Sequence, residues 1–181
     1  MSKNAWDKKA LLEFRDKLEK LKDNAPAVME EIAIGEGVYA VKQARLICKN
    51  EKIVDSGAYR MNWHTGTAGT DKANAEGYDG TAPKNKGKYV EIDIYNNLDY
   101  AKHLEFGFRS HFVPVKYLSN HYRKQFPDGM YVGEPGGYVR GKYVMKRAVN
   151  RTEKTQKARI TRKFEKIVKN YVEGTGNDDG K

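Results

Sequence analysis

Two short segments that alternate apolar and polar residues limit the β-structure that this chain can form. The first runs from Tyr59 to Thr65 and the second from Lys88 to Asn96. In each, apolar side chains recur at every second position, which is typical of a half-buried strand. Because two strands cannot enclose a core alone, helices must supply the rest of it.

Helical patterns occur at both ends of the chain. Apolar residues spaced by three and four, among them Leu11, Phe14 and Leu18, predict two N-terminal helices within residues 6–48, divided by a break before Pro26. We expect a bend at Gly35 and Gly37, because glycine weakens the middle of a helix by roughly 1 kcal/mol relative to alanine. A similar pattern predicts a long helix over 141–173.

The order of these elements predicts an α+β fold, in which a small antiparallel sheet packs with the N-terminal helices, a short helix and the long C-terminal helix. We expect residues 1–181 to form one domain. Its sheet and short helix occupy 53–107, with Asp99 capping the short helix and Gly107 ending it in a left-handed conformation.

Three segments lack the spacing of a helix or strand. The 67–87 segment is rich in glycine and alanine and contains one aromatic residue, Tyr78, so we expect a flexible hairpin loop. Residues 108–137 have many aromatic, proline and glycine residues and are expected to be irregular. The polar residues 174–181 are expected to be a disordered tail.

The net charge of +10 lies almost entirely in the C-terminal helix. Residues 140–173 carry 12 Lys or Arg and three Asp or Glu, a balance of +9, whereas the rest of the chain carries 22 basic and 21 acidic residues, a balance of +1. This segment is either a solvated helix face or a docking face for nucleic acid or an acidic partner. The candidate basic docking residues are Arg151, Lys154, Arg159, Arg162, Lys163 and Lys166.

The sequence offers few groups for catalysis. The single cysteine, Cys48, excludes an internal disulfide and a thiolate zinc cluster, and is expected in the core. His103, His111 and His121 leave a histidine-dependent nuclease open, but the spacing of His103 and Glu105 does not suit two metal ligands on one helix. The chain shows no nucleotide or phosphate-loop motif and no apolar run of ~20 residues, so we expect no cofactor, metal or membrane partner.

Two motifs resemble those of the tail-completion or neck proteins of tailed phages. Residues 53–63 read IVDSGAYRMNW and are similar to the signature that opens the first strand in that family. Residues 100–107 read YAKHLEFG and resemble its Tyr-Ala-x-x-aliphatic-Glu-aromatic-Gly motif, which is the more specific match. Two features depart from the pattern: about 30 residues follow Phe108, and Gly141-Lys142-Tyr143 replaces the usual Pro-aromatic start of the last helix.

The resemblance implies a non-enzymatic virion protein that forms a homo-oligomeric ring, with a hexamer as the leading expectation. Its partners would be the tail tube, sheath, neck or connector proteins, with DNA at most passing through the lumen. It would occur in a virion or tail-like particle assembled in the bacterial host cytoplasm. The candidate interface residues are Tyr78, Tyr100, His103, Glu105, Phe106, Gly107, Arg109 and Phe112.

The alternative is a cytoplasmic nucleic-acid-binding protein, or a histidine-dependent nuclease, that uses the basic helix. One physical expectation is common to both. Glu105 lies at a helix C-terminus, where the dipole disfavours an anion, so it needs a cationic or N–H partner. Arg109 or a neighbouring subunit is the candidate.

Overall fold

The computed structural model describes residues 8–53, 57–66 and 73–173. It confirms the α+β class, with small antiparallel sheets, N-terminal helices and a long C-terminal helix. The expected disordered tail 174–181, the start of the 67–87 loop and part of the first family-like motif lie outside the described residues.

The two N-terminal helices are α1, Lys8–Asp23, and α2, Ala25–Asn50. Pro26 lies in the first turn of α2, where its missing N–H costs no helical hydrogen bond. Helix α2 continues through Gly35 and Gly37, and the second glycine has a packing role instead. A Cβ on Gly37 would lie 2.2 Å from Thr65 Oγ1, so glycine lets the first strand approach the helix.

The expected first strand is wrong in its first half. Residues Ala58–Met61 form a helical turn, α3, and strand β1 covers only Trp63–Gly66. Tyr59 in this turn and Trp63 at the start of β1 are both buried, and their ring centroids lie 5.6 Å apart in the core. Gly57, at φ +82°, begins this turn.

Three strands and a short helix follow β1 along the chain. These elements are β2, Lys84–Asn85; β3, Val90–Glu91; β4, Asp93–Asn96; and α4, Ala101–Phe106. β1 pairs antiparallel with β4, from Trp63 opposite Asn96 to Gly66 opposite Asp93, and β2 pairs antiparallel with β3. Within the described part of the expected 67–87 loop, Lys84–Asn85 therefore pairs with β3, and Tyr78 forms a bridge with Thr65 of β1.

Asp99 does not cap the short helix. Tyr100 immediately precedes α4, and no side chain caps its N-terminus. Gly107 has a positive φ of +85°, as expected, but its ψ of 176° is extended rather than left-handed helical. The chain therefore continues from α4 directly into a strand.

The residues expected to be irregular form a β-arm. Its strands are β5, Gly107–Arg109; β6, His111–Val113; β7, Met130–Val132; and β8, Tyr138–Arg140. β5 pairs with β8 and β6 with β7, both antiparallel, so the chain goes out along one side and returns along the other. A 3-10 turn, Val115–Tyr117, and a short helix α5, Asn120–Gln125, lie at the end of this arm, which we call the arm tip (residues 114–129).

The chain then enters α6, Val144–Glu173, which runs antiparallel to α2. Arg147 near its start forms an ion pair with Glu51 just after α2, and Lys163 forms one with Glu31 near the start of α2. The core lies where these two helices meet β1. Its buried residues are Val41, Ala44, Ile47, Cys48, Tyr59, Trp63, Val144 and Ala148.

Among the helices of the described ranges, none combines the length and apolar character needed to cross a membrane.

Candidate assembly site

The joint between the body and the arm is built around Glu105. This side chain is 6% exposed, at the end of α4. Its Oε2 accepts a hydrogen bond from the N–H of Met145 at 2.9 Å, and its Oε1 accepts one from the N–H of Lys146 at 3.2 Å. Glu105 therefore caps the N-terminus of α6, where unpaired N–H groups and the helix dipole favour an anion.

This geometry confirms that Glu105 has an N–H partner and excludes Arg109 as that partner. The backbone strengthens the same joint, since the N–H of Lys142 donates to Leu104 O at 2.7 Å and that of Tyr143 donates to Glu105 O at 3.1 Å. Both glutamate oxygens are thus used inside the chain. Glu105 positions two elements relative to each other rather than facing outward as a contact residue.

Two glycines allow the outgoing and returning strands of the arm to pass close to each other at the joint. A Cβ on Gly107 would lie 2.4 Å from Val139 O, and a Cβ on Gly141 would lie 2.3 Å from Glu105 O. Tyr138 on β8 closes the same junction, because its hydroxyl donates to Phe106 O at 2.6 Å. Gly107 thus has a packing role in the joint.

Aromatic side chains surround the base of the arm. Phe106 is 63% exposed, and Tyr100 is also exposed, with its ring 6.4 Å from that of Tyr59. His103 and His111 both contact the ring of Phe108, at centroid distances of 5.8 and 5.7 Å. The two histidines therefore form one aromatic cluster with Phe108, which lies on β5, the first strand of the arm.

The outer part of the arm also presents aromatic residues. Phe112 and Tyr131 face each other across β6 and β7, with ring centroids 5.4 Å apart, and both are exposed. Tyr117 in the arm tip is 71% exposed. Arg123 holds the tip together, because its guanidinium donates to Leu118 O at 2.8 Å and to Lys116 O at 2.9 Å.

Arg109 is exposed on β5, beside this aromatic surface. Six of the candidate interface residues lie between the start of α4 and the second strand of the arm, namely Tyr100, His103, Phe106, Gly107, Arg109 and Phe112. Glu105 lies beneath them.

Tyr78 lies apart from the arm. It is half-buried in the loop before β2, where its hydroxyl donates to Thr81 O at 2.9 Å. Its backbone forms an isolated β-bridge with Thr65 of β1. Burial, and then the nearby charge of Asp79, raise the pKa of its phenol. Tyr78 thus helps to order the loop on β1.

The basic docking residues of α6 divide into two groups. Arg159 forms a two-pronged ion pair with Glu36, and its guanidinium lies 3.6 Å from the centroid of the Tyr39 ring. Lys163 Nζ lies 3.0 Å from Glu31 Oε1 and donates to Glu31 O at 2.9 Å. These two cations attach α6 to α2 rather than forming an outer face.

The other four cations form no ion pair with α2 within the described ranges. Arg151, Lys154, Arg162 and Lys166 are exposed. The guanidinium of Arg162 donates to Ala158 O of its own helix at 3.1 Å. This outer stripe of α6 is the part of the predicted docking face that is accessible to a partner.

A second cationic surface, on α2, is not singled out by the sequence patterns above. Lys42, Arg45 and Lys49 line a groove with Arg60 of α3. On α2, Arg45 follows Lys42 by three residues and Lys49 follows Arg45 by four, so the three cations lie on one face of the helix. A search of the sequence for charged helix faces would have found this pattern.

The described residues contain no group of three or more His, Cys, Asp or Glu side chains arranged to hold a metal ion. His121 is on α5, where its ring packs against Tyr122, and His64 is buried in β1. Cys48 is buried in the core, as expected, and burial raises the pKa of its thiol to about 11, which makes it a poor nucleophile.

Comparison of the chain with protein-family models, curated proteins and solved structures found no match.

Proposed function

We propose that this chain is a structural virion protein that assembles as a ring at the end of the tail tube of a phage or phage-tail-like particle. In this role it would be a tail terminator, a collar or a head-tail joining neck protein. The observation that carries the proposal is the β-arm of residues 107–140, which leaves the body, exposes aromatic side chains and returns to a capped joint.

The residues that carry the family resemblance have a direct role in this arm. Within the 100–107 motif, Glu105 fixes the start of α6 and Gly107 starts the outgoing strand. A joint fixed in this way holds the arm in one direction before a neighbour binds. Such preorganisation reduces the conformational entropy lost on association.

The chemistry of the arm suits a protein partner. Tyr, Phe and Arg are enriched at protein interfaces, and the arm exposes Phe112, Tyr117, Tyr131 and Tyr138. An arm that contacts a different surface of the next copy makes a head-to-tail contact, which closes into a ring when the rotation between copies closes. A hexamer remains the leading expectation, with tube, sheath, neck or connector proteins as further partners.

The exposed stripe of α6 supports a second candidate, a cytoplasmic nucleic-acid-binding protein. Arg151, Lys154, Arg162 and Lys166 are accessible cations on one helix, and phosphate contacts of this kind give strongly salt-dependent binding. Under the first proposal, the same stripe has one of two roles. It lines a lumen through which DNA passes, or it docks on an acidic surface of the ring. For the nuclease version, His103 and His111 share a cluster through Phe108, whereas His121 packs against Tyr122 in the arm tip.

The test of the ring proposal removes the arm tip and keeps the joint. Val113 and Met130 are paired across β6 and β7, so residues 114–129 are replaced by Asn-Gly, a two-residue turn that suits a hairpin. We expect normal helical circular dichroism but loss of rings and of attachment to tail particles, measured by light scattering after size exclusion and by particle imaging.

A matched control changes one exposed aromatic residue on the arm and one away from it. Tyr117→Ser in the arm tip should weaken ring formation, whereas Tyr89→Ser, which is also exposed but lies next to β3, should not. Rings that form normally without the arm tip would refute arm-mediated assembly. Binding of nucleic acid by a strict monomer, lost when the α6 stripe is neutralised, would favour the second candidate.

A further inference from the structure

A groove of about 630 Å³ runs along the side of α2 opposite to the core. The core face of α2 contains Gly37, Val41 and Ala44, whereas Val38, Lys42 and Lys49 point to the other side of the helix. Arg60 of α3 and Glu76 of the loop before β2 form part of the groove's wall. The volume is within the range of typical ligand-binding clefts.

The wall of the groove is held in place by Arg45. Its guanidinium donates to Ala75 O at 2.8 Å and to Trp63 O at 3.1 Å, so it fastens the loop that carries Glu76 to α2 and β1. Burial, and then the positive charge of Arg60, lower the pKa of Arg45. The groove is therefore preformed and already crowded with positive charge.

The positive charge in the groove is not neutralised by the described parts of the chain. Across α2, the α6 cations Arg159 and Lys163 pair with glutamates. Within the described ranges, by contrast, no carboxylate lies within ion-pair distance of Lys42, Lys49 or Arg60.

Four cations less one carboxylate, Glu76, leave a balance of +3 in the lining. A concave surface focuses such a charge and attracts an anionic partner.

The groove also contains apolar surface. Val38 and Leu46 contribute to its lining, and Leu46 is 38% exposed. Its one aromatic residue, Tyr39, has the Arg159 guanidinium 3.6 Å from its ring centroid, so one ring face is covered and unavailable for stacking on a base. These features favour a peptide with acidic and apolar side chains over a nucleic acid strand.

We propose that this groove binds a short acidic segment of a partner protein. An apolar side chain of the segment packs on Val38 and Leu46, and its carboxylates meet Lys42, Lys49 and Arg60. The groove lies on α2, α3 and the loop before β2, not on the arm, so the inference stands whether or not the chain forms a ring.

The spacing of the cations defines a suitable probe. Lys42 and Lys49 are two helical turns apart, ~10 Å along the axis. A peptide in the polyproline II conformation has three residues per turn and advances ~3.1 Å per residue, so carboxylates three residues apart share one face and lie ~9 Å apart, close to this separation. The probe is therefore a fluorescent heptapeptide, Glu-Leu-Ser-Glu-Leu-Ser-Glu, with its binding followed by anisotropy in ~50 mM salt.

We expect saturable binding that Lys42→Glu and Lys49→Glu each weaken by about fivefold or more, in line with the loss of ~1 kcal/mol per ion pair. Leu46→Ser should weaken it by a similar factor because the apolar contact is lost. Lys154→Glu, the same change on the outer stripe of α6, is the matched control and should leave affinity within twofold. Circular dichroism checks that each variant is folded.

Three results would overturn the proposal. The first is the absence of saturable binding up to ~1 mM peptide. The second is equal weakening of peptide binding by Lys154→Glu. The third is tight binding of a twelve-nucleotide oligothymidylate that Lys42→Glu abolishes and Leu46→Ser does not change, because that pattern would make the groove a nucleic-acid site.

Discussion

Replacing Glu105 tests the joint on which the arm and α6 both depend. In Glu105→Ala, the N–H groups of Met145 and Lys146 lose their carboxylate partner at a site that is 6% exposed. Loss of a helix N-cap costs ~1 kcal/mol, and buried hydrogen bonds to a charged group are worth ~1.5–3 kcal/mol. Because these contributions overlap, we expect the free energy of unfolding to fall by about 2–3 kcal/mol.

The assay is urea unfolding followed by circular dichroism at 222 nm. With a slope of ~2 kcal/mol/M, the midpoint should fall by about 1–1.5 M. Glu105→Gln keeps the shape and one acceptor oxygen, so it should lose only about half as much. Glu153→Ala, an exposed change on the same helix, is the control and should stay within ~0.5 kcal/mol of the natural chain.

A loss below ~0.5 kcal/mol for Glu105→Ala would refute this reasoning. It would mean that water or another side chain accepts hydrogen bonds from the N–H groups of Met145 and Lys146, and that the joint does not depend on Glu105.

Three further predictions concern the body of the fold. Gly37→Ala should lower the free energy of unfolding, measured in urea, by about 1–3 kcal/mol, since the new Cβ would lie 2.2 Å from the hydroxyl oxygen of Thr65 on β1. Gly35→Ala should raise it by up to ~1 kcal/mol, because the new Cβ would lie 3.3 Å from the flexible end of Lys163. Arg159→Met should cost about 1–2 kcal/mol, and a double-mutant cycle with Glu36→Gln should show that most of this loss comes from their ion pair. The Cys48 thiol has a raised pKa of about 11 in the folded chain, so the unfolded chain releases this proton first and stability should fall as pH rises from about 9 to 11. Comparison of urea midpoints with Cys48→Ala across that range should isolate a contribution of up to about 2 kcal/mol, and a pH-independent difference between the two would contradict it.

The long helices could be predicted from the sequence because their apolar spacing extends over several turns. α2 and α6 start and end within a few residues of their expected bounds. The Tyr59–Trp63 region could not be decided in the same way. A strand would place Tyr59, Met61 and Trp63 on one face. In the structure Tyr59 and Trp63 are buried but Met61 is 55% exposed, because Ala58–Met61 is a helical turn.

The joint shows a different limit. Dipole arguments on the sequence correctly required an N–H or cationic partner for Glu105, but the partner is the start of a helix about 40 residues later. Local reasoning favoured Arg109 because it is close in the sequence. The β-arm was missed for a related reason, because its strands are only three residues long and become visible through their pairing.

Charge could be counted from the sequence but not assigned to a face. Two of the six predicted docking cations, Arg159 and Lys163, pair with glutamates of α2, which the composition of α6 alone does not reveal. The same packing leaves Lys42 and Lys49 on the far side of α2 without acidic partners among the described residues. The functional hypotheses therefore depend on how the two helices face each other.

The most direct test of the central proposal is electron microscopy of purified tail particles from the cell that encodes this chain, with the protein marked by a specific antibody. The ring proposal predicts label at one end of the tail tube, on a ring that disappears when residues 114–129 are replaced by Asn-Gly. Tail particles that contain none of this protein would contradict it.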